Sequence, residues 1–168
     1  MENVYLSIGS NLGNREGYIL EAVKKINRLE DVKQKKVSSV YETEPYGYKD
    51  QPHFYNIALE LYCGLTPRQL LEKCKKIEEE IGRINRGRWK QREIDIDILF
   101  FGNDIIDLPD LKIPHKDLYY RRFVLEPLNE IASDYRCPRT LRSINDLLKI
   151  CNDKSNVKII QKFAPGVS

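Results

Sequence analysis

Acidic residues and isoleucines alternate in the segment 93–98, directly after an arginine-rich loop. The isoleucines follow the period of two of a strand with one face on a core, so Asp95 and Asp97 share the opposite face. Two carboxylates on one face repel each other unless a cation neutralises them, and Asp is a poor strand former. Two interpretations are open: a site for a hard cation such as Mg²⁺, or a strand whose solvent-exposed face is acidic.

The periodicity of apolar residues elsewhere predicts a β-α-β-β-α-β order of elements. This order is that of the ferredoxin-like α+β fold. Thr66 to Gln69 has the pattern of a capping box, and Gly82 is suited to end the helix that follows. The predicted elements are strands at 3–9, 33–42, 54–63 and 93–101, with helices between residue 14 and about residue 29 and from Pro67 to Gly82.

A C-terminal helical and strand extension is predicted after residue 101. Pro127 is expected to break or bend the first of its helices. We expect residues 1–163 to form a single domain and residues 164–168 to fray. The predicted elements of the extension are a short strand at 105–106, helices at 121–132 and 142–151, and a strand at 157–163.

Composition limits the classes of function. A chain of 168 residues buries about 70% of its unfolded surface and needs no disulfide or structural metal for stability. The four cysteines lack CxxC spacing, which is typical of buried, reduced thiols in a cytoplasmic protein. The absence of an 18-residue apolar stretch argues against a membrane span. A net charge of +3 is too small to indicate bulk affinity for nucleic acid.

The loop 83–92 carries five Lys or Arg residues among its ten. Placing this charge beside paired carboxylates suits a triphosphate, which binds metal on one side and guanidinium groups on the other. Alternatively, the arginines pair with the nearby acids at 78–80 in a solvated loop. Trp89 either caps the core or covers a flat heterocycle. The chain lacks a Walker-type glycine loop, so it is not predicted to be a P-loop enzyme.

His115 lies in the segment 113–117, shortly before Arg121 and Arg122. A lone histidine is commonly a structural residue. The cations that follow it also allow a second phosphate-facing wall, in which His115 donates a hydrogen bond.

Six motifs together resemble the 6-hydroxymethyl-7,8-dihydropterin pyrophosphokinase family of folate biosynthesis, over residues 3 to about 135. The resemblance implies a ferredoxin-like enzyme that moves pyrophosphate from MgATP to the pterin hydroxymethyl group and releases AMP. The motifs are Gly9-Ser10-Asn11-Leu12-Gly13, Ser39-x-Tyr41-x-Thr43-x-Pro45, Arg83 with Trp89, Arg92-x-x-Asp95-x-Asp97-x-x-x-Phe101-Gly102, Pro114-His115-x-Asp117 and Arg121-x-Phe123.

The resemblance also implies roles for individual residues. Asp95 and Asp97 would bind two Mg²⁺ ions and, with Arg83 and Arg92, form the catalytic set. The ATP-binding positions would be Glu78, Arg83, Arg92, Ile98, His115, Lys116 and Arg121. The pterin-binding positions would be Thr43, Glu44, Tyr46, Phe54, Asn56, Trp89, Asp95 and Phe123, with Phe54 and Phe123 stacking on the ring.

The chain departs from the family pattern at two positions and in the loop before Trp89, which is one residue shorter. Asn85 stands where the family has a second arginine, and Lys116 stands where an aromatic residue often follows the histidine. We expect Arg86 or Arg88 to supply the missing charge. The small molecules ATP and the pterin are the expected partners of a monomer, with no nucleic acid or membrane.

Catalysis by such an enzyme is expected to rest on positioning and electrostatics, with in-line attack on the β-phosphorus. The loops 10–14, 44–52 and 83–92 would have to meet around the substrates and exclude water.

Two alternatives from other classes use the same fold. One is an RNA-binding module in which Trp89, Phe100 and Phe101 stack on bases. The other is a regulatory module that senses a small ligand and catalyses nothing.

Overall fold

The computed structural model describes residues 1–45, 50–87 and 91–163. The expectation that residues 164–168 fray falls outside this part of the chain. The elements are β1 (Glu2–Ser10), α1 (Arg15–Asn27), β2 (Val32–Val37), β3 (Val40–Thr43), β4 (Phe54–Cys63), α2 (Pro67–Ile81), β5 (Asp95–Phe101), β6 (Ile106–Leu108), β7 (Leu111–Ile113), α3 (Arg122–Ala132), α4 (Ile144–Ile150) and β8 (Val157–Gln161).

The main sheet has the strand order β5-β1-β4-β3-β8, and β2 also pairs with β4. Each of these pairings is antiparallel. The central order β5-β1-β4-β3 is that of a ferredoxin-like sheet, so the predicted α+β class is confirmed. The extension adds β8 to the edge at β3 and a separate β6–β7 hairpin, whose second strand the sequence did not predict.

The prediction of one strand over 33–42 is wrong, because the strand is interrupted at Ser38 and Ser39. Ser38 is buried, and its hydroxyl accepts a hydrogen bond from the Ala58 N–H at 2.8 Å. The same hydroxyl donates to the Ser39 carbonyl at 2.8 Å. A side chain thus replaces a ladder bond of the backbone, and the strand divides into β2 and β3.

Capping residues fix the helix α2 as the sequence predicts. The Thr66 hydroxyl accepts from the Gln69 N–H, and the Gln69 side chain accepts from the Thr66 N–H, which completes the capping box. Gly82 ends the helix with a φ of 106°, a conformation that strains residues with a side chain. Glu78, in the last turn of α2, is thereby held against β5.

The sheet has a hydrophobic core on each face. The first core packs α1 and α2 against one face and includes Ile94, Ile96 and Ile98, as the alternation predicts. The second core lies on the opposite face and joins Tyr5, Ala58 and Phe100 of the sheet to buried residues of α3 and α4, among them Leu125, Leu128, Ile144 and Leu147. The extension therefore covers part of the face that carries Asp95 and Asp97.

A β-bulge lets β5 contribute to both cores. Tyr5 pairs with Phe100 and Leu6 pairs with Ile98, so Leu99 is the extra residue. As a result Leu99 and Phe100 both enter the second core, whereas Ile98 and Phe101 belong to the first.

The expected break at Pro127 does not occur, since α3 continues from Arg122 to Ala132. Val124, Leu125 and Leu128 are buried on either side of the proline, and their packing compensates for the missing backbone donor.

The four cysteines are free and buried, in agreement with the prediction. Within the described ranges, the chain has no helix that is long and apolar enough to cross a membrane.

Candidate functional site

Asp95 and Asp97 lie on the sheet face that the extension only partly covers. Their side chains are 23% and 31% exposed. In the register of the sheet, Asp95 lies beside Gly9 and Asp97 beside Ser7, both of β1. Small neighbours leave open space above the two carboxylates.

Arg83 and Arg92 converge on Asp95 from the two ends of the basic loop. An Arg83 Nη1 atom lies 3.7 Å from Asp95 Oδ1, and an Arg92 Nη1 atom lies 3.3 Å from Asp95 Oδ2. Glu78 anchors Arg83, because its Oε1 accepts from Arg83 at 3.0 Å while its Oε2 accepts from the Ile96 N–H at 2.7 Å. The sequence-based alternative that the arginines pair with nearby acids is thus true of Arg83, but Arg83 also faces Asp95.

Burial and mutual repulsion both disfavour the ionised form of the carboxylates at this site. Burial raises the pKa of Asp97, and the neighbouring Asp95 raises it further. Burial also raises the pKa of Glu78, and Asp95 again adds to the effect. A cation at this position would relieve the repulsion between these carboxylates.

The donor set fits Mg²⁺ bound together with a phosphate ligand. Asp95 and Asp97 offer partly exposed oxygen ligands, and Mg²⁺ in proteins often uses one or two carboxylates while water and phosphate oxygens complete its shell. In the ranges given above, no group of three or more His, Cys, Asp or Glu side chains is arranged to hold a metal ion. The Arg92 Nε atom is buried without a hydrogen-bond partner. Buried donors are normally paired, so this atom is suited to donate to an anionic ligand.

His115 faces Asp97 as a neutral imidazole. Its Nδ1 accepts from the Asp117 N–H at 3.2 Å, so the proton lies on Nε2, which is 3.8 Å from Asp97 Oδ1. Burial and then the Arg121 charge lower the pKa of His115. Arg121 is held by Asp117 at 3.1 Å. His115 can therefore donate a hydrogen bond beside the carboxylate pair, whereas its predicted hydrogen bond to a phosphate stays a prediction.

The carboxylate pair opens on one side into a cavity of about 300 Å³, the lower end of the size typical for ligand pockets. Its walls come from α2, β5 and the segment 109–116. The predicted ATP-binding residues that line it are Glu78, Arg83, Ile98, His115 and Lys116.

On the other side the pair opens into a narrow cleft with about 30 Å³ of free space. Phe54 and Phe123 both line this cleft, as do Asn56, Arg92 and Arg121. The Arg92 guanidinium lies 5.5 Å from the centre of the Phe54 ring, and that of Arg121 lies 5.7 Å from the centre of the Phe123 ring. The cleft is thus flanked by two aromatic rings, each with a cation over its face.

Asn56 is positioned by its neighbours in the sheet. It donates to the Thr43 hydroxyl at 2.9 Å, and both side chains are buried. Gly9 lies directly against it, since a Cβ at Gly9 would come within 2.5 Å of the Asn56 Oδ1. The predicted residue Glu44 points elsewhere, because its carboxylate accepts from the Asn156 N–H at 2.9 Å. Only the Glu44 backbone is then available to a ligand.

The sequence prediction missed the role of Asn11, which is buried and joins the three predicted loops. Its amide donates to the Gln51 side chain at 2.7 Å and to the Pro52 carbonyl at 3.1 Å. Its Oδ1 accepts from the Arg92 N–H at 2.9 Å. The loops 10–14, 44–52 and 83–92 therefore meet at one side chain, although the motif around Gly9 was the only signal for it.

Arg86 does not take the place of the arginine that Asn85 replaces. Its guanidinium donates to both oxygens of the buried Glu93 carboxylate, at 2.9 and 2.7 Å. The Ile84 N–H donates to the same carboxylate at 3.1 Å. This pair connects the start of the basic loop to Glu93, two residues before β5. Arg88, Trp89 and Tyr46, for which roles were also predicted, lie outside the described residues.

Two of the three residues that the RNA-binding alternative requires to stack on bases are buried. Phe100 is fully buried and Phe101 is 3% exposed. Neither ring can stack on a base, and Phe100 instead packs against Tyr5 and Tyr135.

Comparison with known sequences gives a consistent result. The family model for 7,8-dihydro-6-hydroxymethylpterin-pyrophosphokinase matches residues 5–133. The chain is 46% identical over 133 residues to the Bacillus subtilis 2-amino-4-hydroxy-6-hydroxymethyldihydropteridine pyrophosphokinase, covering 79% of this chain and 80% of that protein. It is 40% identical over 157 residues to the Aquifex aeolicus protein of the same name, covering 90% of this chain and 97% of the relative.

Solved structures share the fold. A crystal structure described as Plasmodium falciparum HPPK-DHPS wild type with pteroate matches with a TM-score of 0.71 at 18% identity. The match covers 88% of this chain but only 42% of that longer chain. The fold, the paired carboxylates and the sequence matches together show that this chain belongs to the 7,8-dihydro-6-hydroxymethylpterin-pyrophosphokinase family.

Proposed function

We propose that the chain transfers pyrophosphate from MgATP to the hydroxymethyl group of 6-hydroxymethyl-7,8-dihydropterin and releases AMP, a step of tetrahydrofolate biosynthesis. One observation carries this proposal. Asp95 and Asp97 line both the 300 Å³ cavity and the aromatic cleft, so a ligand in either space meets the same two carboxylates. This arrangement suits a reaction between two substrates across a shared metal site.

The cavity is the proposed ATP site. Arg83 and Arg92 lie at the Asp95 side, and His115 lies at the Asp97 side, so phosphate groups between them would meet donors from two directions. Ile98 and Lys116 line the same cavity, and we propose that the nucleoside lies against them. Guanidinium groups suit this role because they bind phosphate oxygens in a bidentate manner.

Two Mg²⁺ ions are proposed to bind at Asp95 and Asp97 together with the ATP phosphates. When bound, they would neutralise charge on the phosphate oxygens and lower the barrier to attack. The support comes from the oxygen ligands and from the pKa of Asp97, which burial and then the neighbouring Asp95 carboxylate raise, so that a bound cation would stabilise the ionised pair.

The cleft is the proposed pterin site. Phe54 and Phe123 supply two aromatic faces for a flat heterocycle, and Asn56, held by Thr43, supplies an amide for its polar edge. The other proposed pterin residues are Asp95, the Glu44 backbone, Tyr46 and Trp89.

The proposed chemistry is an in-line displacement at the β-phosphorus. The pterin hydroxyl oxygen forms a bond to the β-phosphorus, the bond from that phosphorus to the α–β bridging oxygen breaks, and AMP leaves with the electron pair. The hydroxyl proton passes to solvent or to a phosphate oxygen. The residues of the chain would contribute by alignment and by charge, since Arg83, Arg92 and His115 surround the carboxylate pair where the transferring group would lie.

We further propose that residues 1–163 act as one pyrophosphokinase domain in a cytoplasmic monomer. Its partners would be the two small-molecule substrates, without nucleic acid or membrane. Balanced charge and the buried phenylalanines of β5 support this proposal.

The direct test is to incubate the protein with MgATP and 6-hydroxymethyl-7,8-dihydropterin and to identify the nucleotide product. We expect AMP in equal amount to pterin pyrophosphate. Release of ADP, or no turnover, would contradict the proposal, and ligand binding without turnover would favour the regulatory module. A Lys25→Met variant, which removes a surface ion pair with Glu80, serves as a control that should keep full activity.

A further inference from the structure

Glu130 of α3 accepts three hydrogen bonds from the junction of β2 and β3. Its Oε2 accepts from the Ser39 N–H at 2.9 Å and from the Ser39 hydroxyl at 3.2 Å. Its Oε1 accepts from the Tyr41 hydroxyl at 2.7 Å. Tyr41 is 5% exposed, and its pKa is raised by burial and by this hydrogen bond. Ser39 and Tyr41 belong to a motif whose first half has no role in the proposed reaction.

The sheet places this contact beside the polar wall of the cleft. In the β3–β4 ladder, Tyr41 pairs with Asn56 and Thr43 pairs with Phe54. Tyr41 and Thr43 are two residues apart on one strand, so they share a face of the sheet. Glu130 is thus attached to Tyr41, the residue that pairs with Asn56 of the wall formed by Phe54 and Asn56.

Helix α3 carries both Glu130 and Phe123, the aromatic residue on the other side of the cleft. Phe123 and Glu130 are seven residues apart on α3, which puts them on one face, about 10 Å apart along the axis. The start of α3 is held separately, because the Asp153 Oδ2 accepts from the Arg122 N–H at 2.9 Å. Carboxylates therefore fix the helix that carries Phe123 near both of its ends.

Apolar packing alone would not fix the position of α3 along the sheet. Leu125 and Leu128 are fully buried in the second core, together with Tyr5 and Phe100. Such contacts set the height of the helix above the sheet, but they are not directional. Hydrogen bonds depend on distance and angle, so those of Glu130 select one position along the surface.

We propose that Glu130 is a positioning residue for the pterin cleft. Its hydrogen bonds to Ser39 and Tyr41 fix the separation between the Phe123 ring on α3 and the wall of Phe54 and Asn56 on β4. This inference rests on the proposed function. The described walls of the ATP cavity contain no residue of α3 or β3, so the effect is specific to the pterin side.

The test compares Glu130→Gln and Tyr41→Phe with a matched control on the same helix. The control is Glu126→Gln, which removes an ion pair with Arg122 at 2.7 Å but leaves the contact with β3 intact. Each test variant should raise the KM for the pterin about five- to tenfold, the effect of losing one or two hydrogen bonds. The KM for ATP and the kcat at saturating substrates should stay within about twofold of wild type.

A double variant of Glu130→Gln and Tyr41→Phe should raise the KM for the pterin by less than the product of the two single effects, since both changes act on the same attachment between α3 and β3. A fall in kcat with unchanged KM values would report loss of folded protein and overturn the inference. An unchanged KM for the pterin in both variants, or an equal rise of that KM in Glu126→Gln, would also overturn the inference. In those cases AMP release by the wild-type protein would still support the proposed function. Absence of AMP from the wild-type protein would overturn both.

Discussion

Asn11 and Arg92 bind each other through two hydrogen bonds. The Arg92 N–H donates to the Asn11 Oδ1 at 2.9 Å, and the Asn11 N–H donates to the Arg92 carbonyl at 3.2 Å. Arg92 in turn faces Asp95. The position of Arg92, one of the proposed catalytic arginines, therefore depends on a buried amide in a loop 81 residues earlier in the chain.

Replacing Asn11 by Ala should disturb Arg92 and the Gln51–Pro52 segment together, because it removes the side-chain bonds to both. We expect kcat/KM to fall by about 10- to 100-fold, in keeping with the effect of a misplaced catalytic group. Steady-state kinetics measure this. Asn27→Ala, which removes an exposed hydrogen bond to Gln34, is the control and should change little. Equal activity of the two variants would contradict the expectation.

Asp95→Ala and Asp97→Ala should separate catalysis from stability. We expect the rate to fall by about 10²- to 10³-fold or more in each variant, as for the loss of a group that stabilises charge in the transition state. The melting temperature should stay the same or rise, since each change relieves repulsion between carboxylates. Circular dichroism and product assays test the two parts. A melted spectrum would instead indicate a structural role.

Gly9→Ala should affect the pterin side, because the new methyl group would meet the Asn56 Oδ1 at 2.5 Å. We expect a loss of about 1 to 3 kcal/mol in the free energy of unfolding, as for overpacking elsewhere. We also expect the variant to have a higher KM for the pterin than the wild-type protein has, because the Asn56 side chain must move. Urea unfolding and kinetics measure the two effects. Gly64→Ala is a control far from the cleft, where the new contact is 3.1 Å.

The ion pair of Arg86 and Glu93 should make stability depend on pH. The hydrogen bond from Arg86 is the main cause that lowers the pKa of Glu93 from 4.5 to about 2. The pair therefore contributes its full stabilisation above pH 4.5 and loses it as the pH falls towards 2. Between these values, the free energy of unfolding should fall more steeply in wild type than in Glu93→Gln. Parallel curves from urea unfolding would contradict this.

MgATP should increase the affinity for the pterin. The cleft has about 30 Å³ of free space, with the Arg92 and Arg121 guanidinium groups over its two rings. Phosphates in the neighbouring cavity would attract these cations and widen the cleft. We expect an affinity at least about tenfold higher with a non-hydrolysable ATP analogue and Mg²⁺, a coupling of ordinary size. Pterin fluorescence titrations, with and without EDTA, measure it; equal affinities would argue against the coupling.

Closure of the basic loop is a related expectation. The loop should gain protection of its backbone amides when the ATP analogue binds. Hydrogen exchange over 83–92 measures this, and unchanged exchange would contradict it.

Local patterns in the sequence were sufficient to predict the fold class and the two carboxylates. The alternation in 93–98 identifies the core face of β5, because the period of a strand depends only on neighbouring residues. The capping box of α2 is likewise a matter of four adjacent positions. These predictions needed no knowledge of distant contacts.

Contacts between distant residues account for what could not be predicted. The interruption at Ser38 depends on a bond to Ala58, 20 residues away. Asn11 forms hydrogen bonds with Gln51 and Arg92, which lie 40 and 81 residues away in the sequence. A pattern within one segment carries no signal for such partners, so their residues look like ordinary loop positions.

The two faces of β5 have different roles, one in core packing and one in the candidate site. Ile94, Ile96 and Ile98 pack in the first core, whereas Asp95 and Asp97 serve the site. Along this one strand, consecutive residues are thus subject to separate constraints. Apolar residues of similar volume should therefore replace these isoleucines in relatives, while the two intervening aspartates stay unchanged. The core at this strand can thus be strengthened by substitution without altering the side chains of the site one residue away.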